Sequence, residues 1–253
     1  QCSTMAYAVV QPDGIDHTLT ENTALSTETD KVYDVNVTIG GDVICSNVGG
    51  VYVSGVEVMD RTKVNNVTVT MDDGTITGIL AAGNLRAQAI DGTVEFNISG
   101  GFVNSLYGGN WLTTDLSYDY TANIDSITIN VSGDTLMNKI IGGSLVSIEG
   151  GHPMTDDFIR NYTTSGSITI NLSENSYGGE IYGIASSHHV VNGSLSVNID
   201  GTESIDRIQA QSIEGVRGGT VNGNVTIEAT NCSTRGWICG VYSGDVKQTT
   251  DES

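Results

Sequence analysis

The segment Ile168-Thr169-Ile170-Asn171-Leu172 has apolar side chains at its first, third and fifth positions and polar side chains between them. Alternation with a period of two residues predicts a β-strand that buries one face. The pattern occurs seven times, and the seven copies begin at Val35, Val67, Val94, Ile127, Ile168, Leu195 and Val225. Repetition of one such unit indicates a repeat architecture in which neighbouring units share a continuous core.

A second apolar segment follows each copy, after a turn that usually contains Gly or Asp. Its buried position is predicted to read Val51, Ile79, Leu106, Ile140, Ile181, Ile208 and Trp237. The chain then returns to the next copy through segments of variable length. This organisation predicts an all-β parallel β-solenoid of about seven coils. We expect right-handed winding, because parallel crossover connections are almost always right-handed.

The extent of the repeat divides the chain into three parts. We expect an N-terminal arm or cap over residues 1–31, a single β-solenoid over residues 32–246 and a short acidic C-terminal tail over residues 247–253.

The net charge and the first residue of the chain indicate its partners and its location. The chain has 30 acidic and 10 basic residues and a net charge of −20. Nucleic acid and anionic membrane surfaces are therefore poor partners, and no apolar segment reaches the length of a membrane span. The sequence begins at Gln1 rather than Met. We therefore expect an exported protein, with its leader removed, in the extracellular space or at the cell surface.

The four cysteines suggest disulfides in an exported chain. Three pairings are possible, and the most economical joins Cys2 to Cys45 and Cys232 to Cys239, with one bond near each end of the solenoid. Two alternatives stay open, namely a bond from Cys2 to another copy of the chain, and four free thiols.

Nine Asn-x-Ser/Thr sequons occur in the sequence. Many lie within predicted strands, where outward Asn and Thr recur for architectural reasons. We expect glycosylation, where it occurs, at Asn161 and Asn192, because these lie in return segments.

The candidates for catalysis are Asp72, Asp73, Asp156, Asp157, His188 and His189, with Arg160 or Arg207 as the basic residue. Adjacent Asp residues in turns are usually solvated turn formers, and polysaccharide hydrolysis requires carboxylates that converge on one face. The sequence lacks the Gly-Gly-x-Gly-x-Asp repeats of calcium-binding solenoids. We therefore expect no enzymatic activity, no cofactor and no metal site.

The outward positions of the second strand are predicted to form an apolar row of Tyr52, Leu80, Tyr107, Ile141, Tyr182 and Ile238. Soluble monomers rarely expose an apolar patch of this extent. Either return loops fold over this row, termed the stripe below, or another protein covers it. The long loops at residues 110–124 and 144–165 can cover it in two coils only, so we expect part of the stripe to contact other copies of the chain.

The unit from Gly166 to Gly183 (Gly-Ser-Ile-Thr-Ile-Asn-Leu-Ser, then Gly-Gly-Glu-Ile-Tyr-Gly) resembles repeats of prokaryotic cell-surface β-solenoid proteins. Autotransporter passenger domains and large adhesins have repeats of this kind, although autotransporter passengers usually lack Cys. In its acidic and Cys-containing character the chain is similar to subunits of extracellular layers, such as the proteinaceous sheaths of methanogenic archaea. The resemblance implies a parallel β-helix at a cell surface.

These observations lead us to expect a secreted structural protein that self-associates into an extracellular sheath, surface layer or fibre. The alternative is an adhesin that binds cell-wall or surface glycans through aromatic residues of its return loops, namely Trp111, Tyr118, Tyr120 and Tyr162. A polysaccharide lyase or hydrolase and an ice-binding protein are less favoured, since Glu95 and Glu228 interrupt the rows of Thr and Asn that ice binding would need.

Overall fold

The computed structural model describes residues 6–8, 18–19, 32–41, 43–51, 63–84, 92–112, 122–146, 162–186, 189–201 and 208–242. The regular structure of these residues consists of β-strands, which are numbered along the chain. The fold is an all-β parallel β-solenoid, and about four of its turns have strands on three faces.

The first sheet contains the seven predicted alternating segments, stacked in parallel. Its strands in chain order are β3 (Val32–Ile39), β6 (Lys63–Met71), β8 (Thr93–Ile98), β11 (Ser126–Val131), β15 (Ile168–Glu174), β18 (Leu195–Gly201) and β22 (Val225–Thr230). Val67, Val94 and Ile127 occupy the same register position and are at most 1% exposed. The predicted register of this sheet is therefore confirmed.

The second sheet has eleven strands and carries the second segment of each repeat. They are β1 (Ala6–Ala8), β2 (Thr18–Leu19), β4 (Ile44–Cys45), β5 (Val48–Val51), β7 (Thr75–Asn84), β9 (Phe102–Leu112), β12 (Leu136–Ile141), β13 (Leu145–Val146), β16 (Glu180–Ile184), β20 (Ser212–Val216) and β24 (Ile238–Val241). At its N-terminal edge, β1 pairs in parallel with β5 and antiparallel with β2. Residues of the predicted arm thus extend this sheet.

Two smaller sheets complete the turns. The third sheet contains β10 (Ala122–Ile124), β14 (Tyr162–Thr164), β17 (His189–Val191) and β21 (Thr220–Val221). A two-stranded sheet joins β19 (Ile208–Ala210) to β23 (Ser233–Thr234).

The core is a stack of aliphatic side chains between the sheets, with Phe96 and Met71 among the largest fully buried residues. Burying one such side chain contributes about 1.5–3 kcal/mol to folding, so each turn is held mainly by contact with its neighbours. Outside this core, an amide ladder joins four strands of the first sheet. Asn130, Asn171 and Asn198 each donate from Nδ2 to the Oδ1 of the preceding Asn, at 2.8–2.9 Å, and the ladder begins at Asn97.

The register of the second sheet differs from the prediction at four of its seven positions. Leu106, Ile140 and Ile181 are aligned as expected, but the remaining positions are taken by Val48, Leu80, Ile213 and Ile238. The pairing of β7 with β9 shifts between Ile76 and Ile79, and this bulge moves Leu80 into the core. Residues 208–210, which were expected in this sheet, pair with β23 instead.

Candidate interaction surfaces

Three residues of the predicted stripe are aligned but buried. Tyr107, Ile141 and Tyr182 lie in register on neighbouring strands of the second sheet. They are only 7%, 2% and 6% exposed and form a small cluster with Ala81, separate from the main core. Burial raises the pKa of the Tyr107 hydroxyl. These three residues are therefore covered within the chain itself, which was the alternative to contact with another copy, and they offer no exposed contact surface.

The other stripe residues do not belong to the same row. Leu80 is fully buried in the core because of the bulge in β7. Ile238 occupies the inward position of β24, yet it is 48% exposed because β24 is the last strand of its sheet. Tyr52 lies outside the described residues. The stripe therefore does not exist as one exposed surface.

The predicted bond between Cys232 and Cys239 is not formed, and both residues are thiols. Cys232 packs against the main core, whereas Cys239 lies opposite Glu214 in the outer row of the second sheet, so the two side chains lie on different faces. Burial raises the pKa of both thiols, and Glu214 adds to this effect at Cys239. Cys45 is buried, and Cys2, its predicted partner, lies outside the described residues.

The candidates for catalysis that the structure describes, Asp72, Asp73 and His189, lie on different parts of the solenoid. Asp72 and Asp73 are exposed in the turn between β6 and β7, where Asp73 Oδ1 accepts a hydrogen bond from the Gly74 N–H at 2.7 Å. His189 is 1% exposed in the third sheet, with Nε2 2.9 Å from Thr164 Oγ1, and burial lowers its pKa to about 4. Asp156, Asp157, Arg160, His188 and Arg207 lie outside the described residues. Within the described parts of the chain, no three His, Cys, Asp or Glu side chains are grouped as metal ligands.

The structure describes one of the two predicted glycosylation residues. Asn192 is exposed beside β17, and its Oδ1 accepts a hydrogen bond from Asn222 Nδ2 at 3.0 Å. Asn161 lies outside the described residues, as do Tyr118 and Tyr120 of the glycan-binding alternative.

The C-terminal end of the solenoid exposes several large apolar side chains. They are Trp237 at 53%, Ile238 at 48%, Val241 at 66% and Tyr242 at 38% exposure. Among the described residues, β22 and β24 are the last strands of the first and second sheets, so one backbone edge of each faces no further strand. The N-terminal end differs, since the inward side chains of β3 are only 3–5% exposed.

A cluster of aromatic and charged side chains lies beside this open end. Glu214 is fully buried and accepts a hydrogen bond from Trp237 Nε1 at 2.9 Å. Arg217 Nε lies 3.8 Å from the other carboxylate oxygen of Glu214, and Arg217 Nη1 donates to the Tyr182 hydroxyl at 2.8 Å. The Arg217 guanidinium lies 5.4 Å from the centre of the Tyr242 ring, which stacks on Trp237. These contacts hold the exposed aromatic side chains in place.

Residues 208–242, which form this end, have no net charge, whereas residues 243–253 add three acidic residues and one basic residue. Residues 208–242 contain two acidic and two basic residues, Glu214, Glu228, Arg217 and Arg235, although the whole chain carries a net charge of −20. A second copy therefore meets less electrostatic repulsion at residues 208–242 than the average charge density of the chain implies.

Comparisons with known proteins do not place the chain in a family. No family model, curated protein or solved structure matches it significantly. Within the parts of the chain that the structure describes, no helix has the length and hydropathy of a membrane span.

Proposed function

We propose that this protein is a structural β-solenoid whose copies associate through the open C-terminal end. The observation that carries the proposal is the exposure of Trp237, Ile238, Val241 and Tyr242 on the last turn. Apolar side chains in a contiguous exposed patch favour a partner that removes them from water. Unpaired strand edges add a second reason, because they readily pair with another strand.

The partner is a second copy of the chain, joined end to end about a two-fold axis. Such an axis places β22 antiparallel to the same strand of the other copy. The backbone N–H and C=O groups at the edge of one strand can then pair with those of the other. Neutral charge in residues 208–242 permits this contact in a strongly acidic protein. Trp, Tyr and Arg are the residues that most often dominate interface energies, and this end presents Trp237, Tyr242 and Arg217.

The resulting dimer is the building unit of an extracellular sheath, surface layer or fibre, in which a second contact must join one dimer to the next, because a two-fold contact closes on itself. The role of the protein is structural rather than enzymatic. As expected from the sequence, the proposed protein is exported, has seven right-handed coils and associates with copies of itself. The C-terminal end replaces the lateral stripe as the main contact, because Tyr107, Ile141 and Tyr182 are buried.

Sedimentation velocity of the full chain at increasing concentration tests the proposal. We expect a monomer–dimer equilibrium, with a blue shift of Trp fluorescence as Trp237 loses contact with water. The double variant Trp237→Asp and Val241→Asp should remain monomeric with an unchanged circular dichroism spectrum. Ile44→Asp is the matched control, because Ile44 is 59% exposed on a lateral face. A wild-type protein that stays monomeric at millimolar concentration would contradict the proposal.

A further inference from the structure

A second surface lies where the strands of the second sheet begin. Phe102, Leu136 and Tyr177 occupy one register position in successive turns, since Leu136 pairs with both of the others. Leu136 is 48% exposed, and Phe102 and Tyr177 are partly exposed. We call this row the apolar ridge. It runs parallel to the solenoid axis.

A polar groove of about 410 Å³ lies beside the ridge. Its lining residues are Asn104, Ser105, Asn138, Lys139, Tyr177, Glu180 and Gln211. Asn104 and Asn138 are two residues from Phe102 and Leu136 on the same strands, so they share the outward face with the ridge. The volume falls within the range of small-molecule sites, roughly 300–1,000 Å³.

The groove presents amide side chains on β9, on β12 and just before β20. Asn138 Nδ2 donates a hydrogen bond to Asn104 Oδ1 at 2.9 Å. This bond does not use the N–H groups of Asn104 or the side-chain oxygen of Asn138, so both can bind a ligand. The Gln211 side chain adds an amide two turns further along. Lys139 Nζ lies 3.6 Å from Glu180 Oε2, so the charges of the groove compensate each other.

We propose that this groove binds a neutral, linear oligosaccharide that lies along the solenoid axis. A pyranose ring has an apolar face of C–H groups and a rim of hydroxyls, and it matches a surface that has an apolar ridge beside planar amides. Successive strands are about 4.8 Å apart, a spacing close to the length of one sugar ring, so neighbouring turns can contact neighbouring sugars. An acidic glycan would be repelled by a protein of net charge −20.

An extended peptide fits this surface less well. Peptides that bind to sheets usually pair with an open strand edge. The groove lies on the face of strands β9, β12 and β16, which are paired with one another. Their backbone groups are already hydrogen-bonded, so recognition must use side chains.

Isothermal titration calorimetry with cellotetraose, tetra-N-acetylchitotetraose and mannotetraose tests the proposal, with tetragalacturonate as the acidic comparison. We expect at least one neutral tetrasaccharide to bind and the acidic one to bind at least about tenfold more weakly. Tyr177→Ala and Asn138→Ala should each weaken binding about tenfold, which corresponds to about 1.4 kcal/mol. Asn222→Ala is the control, because Asn222 is an exposed amide near the third sheet.

Three outcomes would overturn the proposal: no binding of any neutral sugar, preference for the acidic sugar, or binding that neither groove variant weakens. Tyr177→Leu keeps an apolar side chain at the ridge and guards against misfolding of the Ala variant. The proposal does not depend on self-association, so the monomeric Trp237→Asp and Val241→Asp double variant should bind the same sugar with unchanged affinity.

Discussion

The two ends of the solenoid are built from the same kind of strand but are covered differently. At the N-terminal end, Val35, Val37 and Ile39 of β3 are only 3–5% exposed, and β1 pairs with β5 at the edge of the second sheet. At the C-terminal end, Ile238 and Val241 are 48% and 66% exposed. The alternating pattern that forms a core inside the stack therefore leaves apolar side chains exposed on the last described turn. Stability and association should accordingly be governed by different turns.

The largest expected effect compares one register position inside the stack and at its end. Ile181→Ala should lower the free energy of unfolding by about 2–5 kcal/mol, because Ile181 is fully buried and its loss leaves a cavity. Ile238→Ala should cost less than about 1 kcal/mol in the dilute monomer. Urea denaturation at low concentration measures both. Equal losses would mean that the C-terminal end is not open in solution.

Protonation of His189 tests how strongly the interior of the stack excludes a charge. Burial lowers the folded pKa from 6.5 to about 4. As the pH falls from 6.5 towards 4, the unfolded chain takes up a proton that the folded chain excludes, so stability declines across this window, by about 3 kcal/mol in total. Denaturation at several pH values should show this slope in the wild type and a smaller one in His189→Gln. An NMR titration of the His189 ring near pH 6.5 would contradict the expectation.

The amide ladder supplies the smallest comparison. Asn171 takes part in two amide–amide hydrogen bonds, and Asn198, the last amide of the ladder, takes part in one. Asn171→Ala should therefore destabilise the protein by about 1–3 kcal/mol, and Asn198→Ala by about half as much. Thermal unfolding of the two variants and of the control Asn224→Ala, an exposed amide outside the ladder, decides this. If Asn198→Ala were the more damaging variant, stiffening of the first sheet could not be attributed to the ladder.

Much of the first sheet was predictable from the sequence. The alternation around Ile127, Ile168 and Leu195 is a local property of the backbone, because successive side chains of a strand point to opposite faces. Once these segments stack, their register follows, since a slip of one residue would expose every buried side chain. The Asn ladder follows from the same register, because aligned strands bring identical polar residues together.

The tertiary structure alone decided which residues of the second sheet face outward and which of those reach solvent. One extra residue in the bulge of β7 carried Leu80 into the core, and local alternation cannot reveal how neighbouring strands are offset. Burial of Tyr107 and Tyr182, and the positions of Cys232 and Cys239 on different faces, depend on segments far apart in the chain. Sequence alternation determined the repeated strand and its buried face. The exposed surfaces were decided by how the turns stack and where the stack ends, because burial depends on what lies against a side chain.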